Sequence, residues 1–195
     1  VSKAGIVLAG GFGTRFEDGE KTLAELDGKP LILHAVDALR PTVDTIVISC
    51  RDAQIDAFEA VLADVVYRPD PIPDEGPLAG LEAALDGLDA ESVAVTTADR
   101  PCVPAELYAE FFDDLNRDGV VIQSGDFLEP APAVFDAERF LSAVQRRHET
   151  GERRLRTVLD DLDLDTIPAE HVRARWGENA LVDVNTRADL NRLRE

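Results

Sequence analysis

GIVLAGGFGTRFEDGEK, Gly5 to Lys21, runs an apolar segment straight into a turn carrying Gly10, Gly11 and Gly13, then Arg15 and Lys21. Glycine lets a backbone turn sharply and approach a ligand, so that its amide N–H groups converge on phosphate oxygens. Arg15 can fork onto a phosphate, and Lys21 supplies a mobile point charge. A glycine turn with solvated charges accounts for the same residues, and a bare glycine pair would favour it. The order of residues is more informative. No GxxxxGK[ST] occurs, so the loop is not a P-loop, and GxGxxG is absent, so it is not the dinucleotide fingerprint.

Outward from this turn, apolar stretches of strand length alternate with helix-like ones. Strands are predicted over 6–8, 44–49, 64–67, 92–97 and 120–123, and helices over 31–39, 53–62, 78–85 and 104–116. The strands are continuously apolar with little period-two alternation, which argues an α/β fold with a parallel sheet covered by helices on both faces. The second part is less regular: strands over 133–135 and 181–184, helices over 137–147, 153–162 and 187–193. The chain reads as a single domain, 1–195. Residues 1–124 are expected to form a nucleotide-binding half and 125–195 an acceptor-binding half. Ligands of such sheets bind beyond the carboxyl ends of the strands. The Gly-rich turn, the segment around Asp70 and the TADRP segment after SVAVT should therefore meet at one edge.

Composition narrows the function classes. The net charge is −19. Such a surface repels nucleic acid, so no nucleic-acid partner is expected. The three lysines, Lys3, Lys21 and Lys29, stand against seventeen arginines, an acidic, lysine-poor balance that suggests adaptation to high salt. No apolar run is long enough to span a bilayer, and VSKAG lacks the regions of a signal peptide. A soluble, cytoplasmic protein with no membrane partner, monomeric or weakly oligomeric, is expected. Cys50 and Cys102 have no metal-ligand spacing and read as small buried residues. His34, His148 and His171 show no metal spacing either.

The chain resembles the nucleotidyltransferase family, whose signature LAGG-x-x-x-R followed by K and then GKPL is matched by Leu8-Ala9-Gly10-Gly11, Arg15, Lys21 and Gly28-Lys29-Pro30-Leu31. Four further stretches resemble motifs of the molybdenum cofactor guanylyltransferases of the MobA type: GPLAGL (76–81), TTADRPCVP (96–104), GERRLR (151–156) and DVNTRADL (183–190). That resemblance implies a Rossmann-like, three-layer α/β sandwich. It also implies transfer of GMP from GTP to the phosphate of molybdenum-bearing molybdopterin, with release of pyrophosphate and magnesium as cofactor. Transient contact with molybdenum enzymes or their chaperones follows as an expectation. The chain departs from the family pattern at Ala98, where Cys is usual, at Glu20, where Asp is common, at Ile48-Ser49-Cys50, where Asn is frequent, and at Glu129-Pro130-Ala131.

The candidate site residues follow. Asp99 ends a buried strand ahead of Arg100-Pro101, and a carboxylate there can hold magnesium against an α-phosphate; a turn or capping aspartate is the plainer reading. Asn185 is a candidate second metal ligand or acceptor contact, with helix capping beside Thr186 as the alternative. Arg15, Lys21 and Asp99 are the expected catalytic set. Leu8, Ala9, Gly10, Gly11, Gly13, Lys21, Asp70, Gly76, Gly80 and Asp99 are the expected nucleotide-binding set. Asp70 could accept from guanine N1–H and the 2-amino group, or contact ribose. Arg153 and Arg154 are expected to bind the anionic acceptor, or else to pair with Asp160 or Asp161. An adenosylcobinamide-phosphate guanylyltransferase, a sugar-1-phosphate nucleotidyltransferase and a non-catalytic nucleotide-binding module stay open at this point.

Overall fold

The computed structural model describes residues 1–11, 16, 20–71 and 76–194. The elements in chain order are β1 (Lys3–Leu8), β2 (Glu25–Leu26), β3 (Lys29–Pro30), α1 (Leu31–Leu39), β4 (Thr45–Cys50), α2 (Ile55–Glu59), β5 (Val66–Pro69) and α3 (Pro77–Leu85). They continue with β6 (Ser92–Thr97), α4 (Ala105–Asp113), β7 (Gly119–Ser124), β8 (Phe127–Asp136), α5 (Ala137–Glu149), β9 (Leu164–Pro168), α6 (Ala169–Trp176) and α7 (Arg187–Arg192). Seven strands form one sheet in the order β5-β4-β1-β6-β8-β7-β9, and β2 pairs with β3 in a separate hairpin. β8 alone among the seven runs against its neighbours, antiparallel to β6 and β7. The sheet is thus mixed but mostly parallel.

The continuous apolar strands are explained by two cores, one on each face. Along β4, Ile46, Ile48 and Cys50 point into one core with α1 and α4, while Val47 points into the other with α3 and α5. β6 and β7 split in the same way: Ala94, Val120 and Ile122 on the first face, Val93, Val95 and Val121 on the second. Helices on both faces make the three-layer sandwich that the sequence led us to expect. In the second core Phe135 and Phe140 stack with ring centroids 3.9 Å apart. Truncating either fully buried ring to Ala should cost about 3–5 kcal/mol. A third, smaller cluster joins Phe16, Leu26, Leu31, Val184 and Leu190. It seats the β2–β3 hairpin and α7 beside the carboxyl edge of the sheet.

Several element expectations change. The strand foreseen over 181–184 is absent: Glu178–Leu181 is a 3-10 turn, and Val184 N–H donates to Asp99 O at 2.8 Å instead of joining a ladder. The helix foreseen over 153–162 is a 3-10 segment, Leu155–Asp161; its buried residues Leu155, Val158 and Leu159 suit either helix type. The stretch 53–62 divides into a 3-10 turn, Asp52–Gln54, and the short α2. β8 extends well beyond the three residues expected. β9 and α6 were not foreseen.

Candidate active site

Parallel strands level their ends. Leu8 pairs with Ser49 and with Thr97, and Cys50 pairs with Pro69. The residues that follow β1, β4, β5 and β6 therefore emerge at one rim, where such sheets bind ligands. A cavity of about 550 Å³ opens there. Its walls come from Leu8 to Gly11 after β1, Ser49 and Arg51 after β4, Asp70 after β5, Gly76 and Pro77 at the start of α3, and Thr97 to Asp99 after β6. Lys21, Thr22 and Leu155 complete it. Gly13 and Arg15 lie outside the described residues.

Asp70 is seated by what its neighbours lack. A Cβ on Gly10 would stand 2.4 Å from Asp70 Oδ2, and one on Gly80 would stand 2.3 Å from Oδ1 and 2.7 Å from Ser49 Oγ. The carboxylate fits between the end of β1 and the first turns of α3 only because both residues are glycine. Its backbone N–H donates to Cys50 O at 2.7 Å, and Ser49 Oγ donates to Oδ1 at 3.4 Å. Burial raises the Asp70 carboxyl above its ordinary value, an effect that the Ser49 hydroxyl and the Arg51 charge partly oppose. The Cys50 thiol beside it is pushed up to about 12, first by burial and then by Asp70, which favours the protonated thiol at neutral pH. Gly76, at φ +85, brings α3 close to the backbone of Arg153: a Cβ there would meet Arg153 O at 3.0 Å.

Arg51 brackets the opening loop. Its Nε donates to Gly10 O at 3.2 Å and its guanidinium reaches Glu20 Oε2 at 2.7 Å. Glu20 also accepts from Thr22 Oγ1 at 3.1 Å. Gln54, buried below, donates to Ala9 O at 3.1 Å and accepts from Arg51 N–H at 2.8 Å. The residues on both sides of the loop are thereby tied to the end of β4.

Across the cavity Lys21 Nζ lies 2.7 Å from Asp99 Oδ2 and 3.4 Å from Asn185 Oδ1. Three segments distant in sequence meet at this ammonium. The capping alternative for Asn185 falls to its neighbour: Thr186 caps α7 by accepting from Asp189 N–H, and Asp189 answers with bonds to the Thr186 and Asn185 amides. The Asn185 side chain is left to face Lys21. Thr97 Oγ1, buried in the cavity wall, has no hydrogen-bond partner among the described residues. Among the described residues no group of three or more His, Cys, Asp or Glu side chains lies together as a metal cage.

Arg153 and Arg154 sit two residues and one residue before Leu155, at the border of the cavity. Arg154 lies 3.4 Å from Glu152 and is largely exposed. The pairing with Asp161 considered for this cluster is made by Arg147, through two bonds of 2.7 Å. Thr22, Ser49, Arg51 and Thr97 were not singled out from sequence. The one sequence signal for Arg51 is its place directly after β4, which alone does not separate it from a surface arginine.

A model of the MobA-like NTP transferase domain matches residues 5–167. A probable molybdenum cofactor guanylyltransferase of Haloferax mediterranei is 34% identical over 194 residues, spanning 98% of this chain and 92% of the relative. A second, from Natronomonas pharaonis, is 30% identical and spans 99% and 97%. The crystal structure of molybdopterin-guanine dinucleotide biosynthesis protein A from Archaeoglobus fulgidus superposes with a TM-score of 0.78 at 26% identity, over 98% of this chain and 96% of that one. The family model covers most of the chain and the relatives span nearly all of it, and the chain belongs to the family of MobA-like NTP transferases.

Proposed function

We propose that the protein transfers GMP from GTP to the phosphate of molybdenum-bearing molybdopterin and releases pyrophosphate. The observation that carries the reading is the meeting of Gly10 and Gly11 with Lys21, Asp70 and Asp99 around one cavity. The acceptor and the base are supported by relatives that span nearly the whole chain and are named guanylyltransferases.

In this reading an acceptor phosphate oxygen attacks the α-phosphorus in line; a P–O bond forms there as the bond to the β-phosphate breaks. An acceptor phosphate is already anionic near neutral pH, so no strong general base is required. The protein's work is positioning and charge neutralisation. The Gly10 and Gly11 amides and Lys21 hold the triphosphate. Asp70 accepts from guanine N1–H and the 2-amino group, with Thr97 Oγ1 available to the nucleotide. Arg153 and Arg154 receive the anionic acceptor at the border, so residues 1–124 serve the nucleotide and 125–195 the acceptor.

Magnesium fits the donor set. The Asp99 carboxylate and the Asn185 amide oxygen are hard oxygen ligands that converge on one cation, the Lys21 ammonium. Mg²⁺ commonly takes one or two protein ligands and completes its shell with phosphates and water. When bound it would supply charge neutralisation at the transferring phosphate. No helix among the described residues is long and apolar enough to cross a membrane, and the reading is of a cytoplasmic enzyme that hands its product to molybdenum enzymes or their chaperones.

Pyrophosphate release measured with each nucleoside triphosphate, with and without molybdopterin, tests the proposal directly. GTP with molybdopterin should be the productive pair. Thermal stabilisation by CTP with Mg²⁺ in high salt, and none by GTP, would remove the guanylyl assignment.

A further inference from the structure

Asp99 and Asn185 face one cation from segments that no ladder joins. Asp99 lies in the turn after β6. Asn185 lies in an irregular stretch between the Glu178–Leu181 turn and α7. Their spacing depends on what ties those two stretches. One tie is the backbone bond from Val184 N–H to Asp99 O at 2.8 Å. The other is Arg100. Its Nε donates to Asp183 Oδ1 at 2.5 Å and its NH2 to Oδ2 at 3.2 Å, a fork across 83 positions of sequence. The same guanidinium donates through NH1 to Glu129 Oε2 at 2.6 Å and to Ala131 O at 2.7 Å, both on β8. Glu129 is held in turn by Ser124 Oγ.

We propose that Arg100 is a positioning residue for the transfer reaction: it clamps the Asp183–Asn185 stretch to the turn of Asp99 and so sets the distance between the two oxygen donors. The inference rests on the guanylyl-transfer reading. Among the described residues the Arg100 guanidinium bonds to Asp183, Glu129 and Ala131 and not to Asp99, Asn185 or Lys21, so it acts through their backbones. Its side chain is only 12% exposed. A planar fork with several fixed donors can serve Asp183, Glu129 and a carbonyl at once, which an ammonium cannot. One residue on from Asp99 and two before Asn185, any slack in the fork moves a ligand. Partners that orient metal ligands from behind typically matter about 10–100-fold in metal affinity or activity.

The test is Arg100→Lys, which keeps the charge and loses the fork. Because net charge is unchanged, an altered metal requirement reports geometry. With GTP and molybdopterin, the Mg²⁺ concentration for half-maximal rate should rise about tenfold and kcat fall about tenfold, with KM for GTP within about twofold of wild type. Mn²⁺ binding to the GTP-loaded protein, followed by electron paramagnetic resonance, should weaken in parallel. Asp183→Asn, at a half-exposed position, should shift the same readouts if Arg100→Lys folds poorly. Arg117→Lys loosens an arginine paired with Asp163 and Asp165 just ahead of β7, at the edge of the sheet opposite the cavity. It should alter the melting temperature at most. Wild-type metal affinity and kcat in Arg100→Lys or in Asp183→Asn, whatever the melting temperature, would overturn the clamp and leave the guanylyl reading standing. A wild-type protein that binds GTP and Mn²⁺ but releases no pyrophosphate with molybdopterin would overturn both.

Discussion

Gly80→Ala adds one methyl group to α3 and isolates the role proposed for Asp70. The new Cβ would stand 2.3 Å from Asp70 Oδ1, a separation no real contact shows, and Gly10 already closes the opposite side of the carboxylate. The carboxylate must therefore swing out of its seat. The fold should tolerate this: relieving the overlap costs about 1–3 kcal/mol when atoms are forced together, while Gly→Ala within a helix returns up to about 1 kcal/mol. Binding should not tolerate it. A hydrogen bond to a charged group contributes about 1.5–3 kcal/mol, and about 1.4 kcal/mol is a factor of ten. The Kd for GTP with Mg²⁺ should thus rise about ten- to a hundred-fold by calorimetric titration. Asp70→Ala should show a similar rise, and the double variant should be no weaker than the worse single one, since both remove the same contact. Wild-type affinity in Gly80→Ala, or effects that add in full, would refute this account of the site.

Lys21→Ala and Asp99→Ala should each lower turnover about 10²-fold or more, the usual loss when an electrostatic stabiliser is removed; wild-type turnover in either, measured by pyrophosphate release, would refute its role. Asp70→Asn should stabilise the unliganded protein at pH 7 while weakening GTP binding. Burial raises the Asp70 carboxyl, so the folded chain keeps that proton to higher pH than the unfolded chain, and stability falls as pH rises through that interval. A lower urea midpoint for Asp70→Asn would contradict this. Asp189 has the opposite sign: the Thr186 hydroxyl, with the Asn185 and Thr186 amides, holds its carboxyl down to about 2. Its contribution is complete above about pH 4, the ordinary value, and is lost as pH falls toward 2. The difference between wild type and Asp189→Asn in urea unfolding should shrink across that window, and a constant difference would refute the assignment.

The parallel half of the sheet was legible because its signal is local. Each of β1, β4 and β6 is a short, mostly apolar run buried on both faces, and the glycine-rich stretch after β1 marks the functional edge. β9 and α6 were not legible in the same way. Leu164–Pro168 is only partly buried along its length, and α6 buries little beyond Ala169 and Val172, so neither carries a strong apolar period. The false strand at 181–184 had an apolar run, but Val184 is buried by the small cluster around Leu31 and Leu190 and not by a sheet. In the site, Lys21, Asp70 and Asp99 were read from motif order. Arg51 and Arg100 were missed because an arginine after a strand is an ordinary surface residue until its partners are known. Those partners, Gly10 and Glu20 for one and Asp183 and Glu129 for the other, are set by topology and not by spacing.

The charge balance of the chain bears on how the proposed reaction begins. A protein of net charge −19 must admit a polyanionic nucleotide. Lysine is scarce, and only one of the three lies in the cavity: Lys3 sits 4.5 Å over the Phe112 ring, and Lys29 pairs with Asp37. Lys21 is itself already paired with Asp99, and Arg51 with Glu20. Each cation among the described lining residues thus has a carboxylate beside it, and the net charge of the chain repels a polyanion at long range. What the geometry supports is an exchange of partners. Were Lys21 to turn from Asp99 to a phosphate, the Asp99 carboxylate and the Asn185 amide oxygen would be the donors to hold a divalent cation, which would supply the charge that Lys21 gave up. Each charge then remains paired throughout, which is how a partly buried site avoids the penalty of an unpaired one. Added salt shortens the reach of the protein's negative field to within a few ångströms. It removes the repulsion felt on approach while leaving those short contacts largely intact.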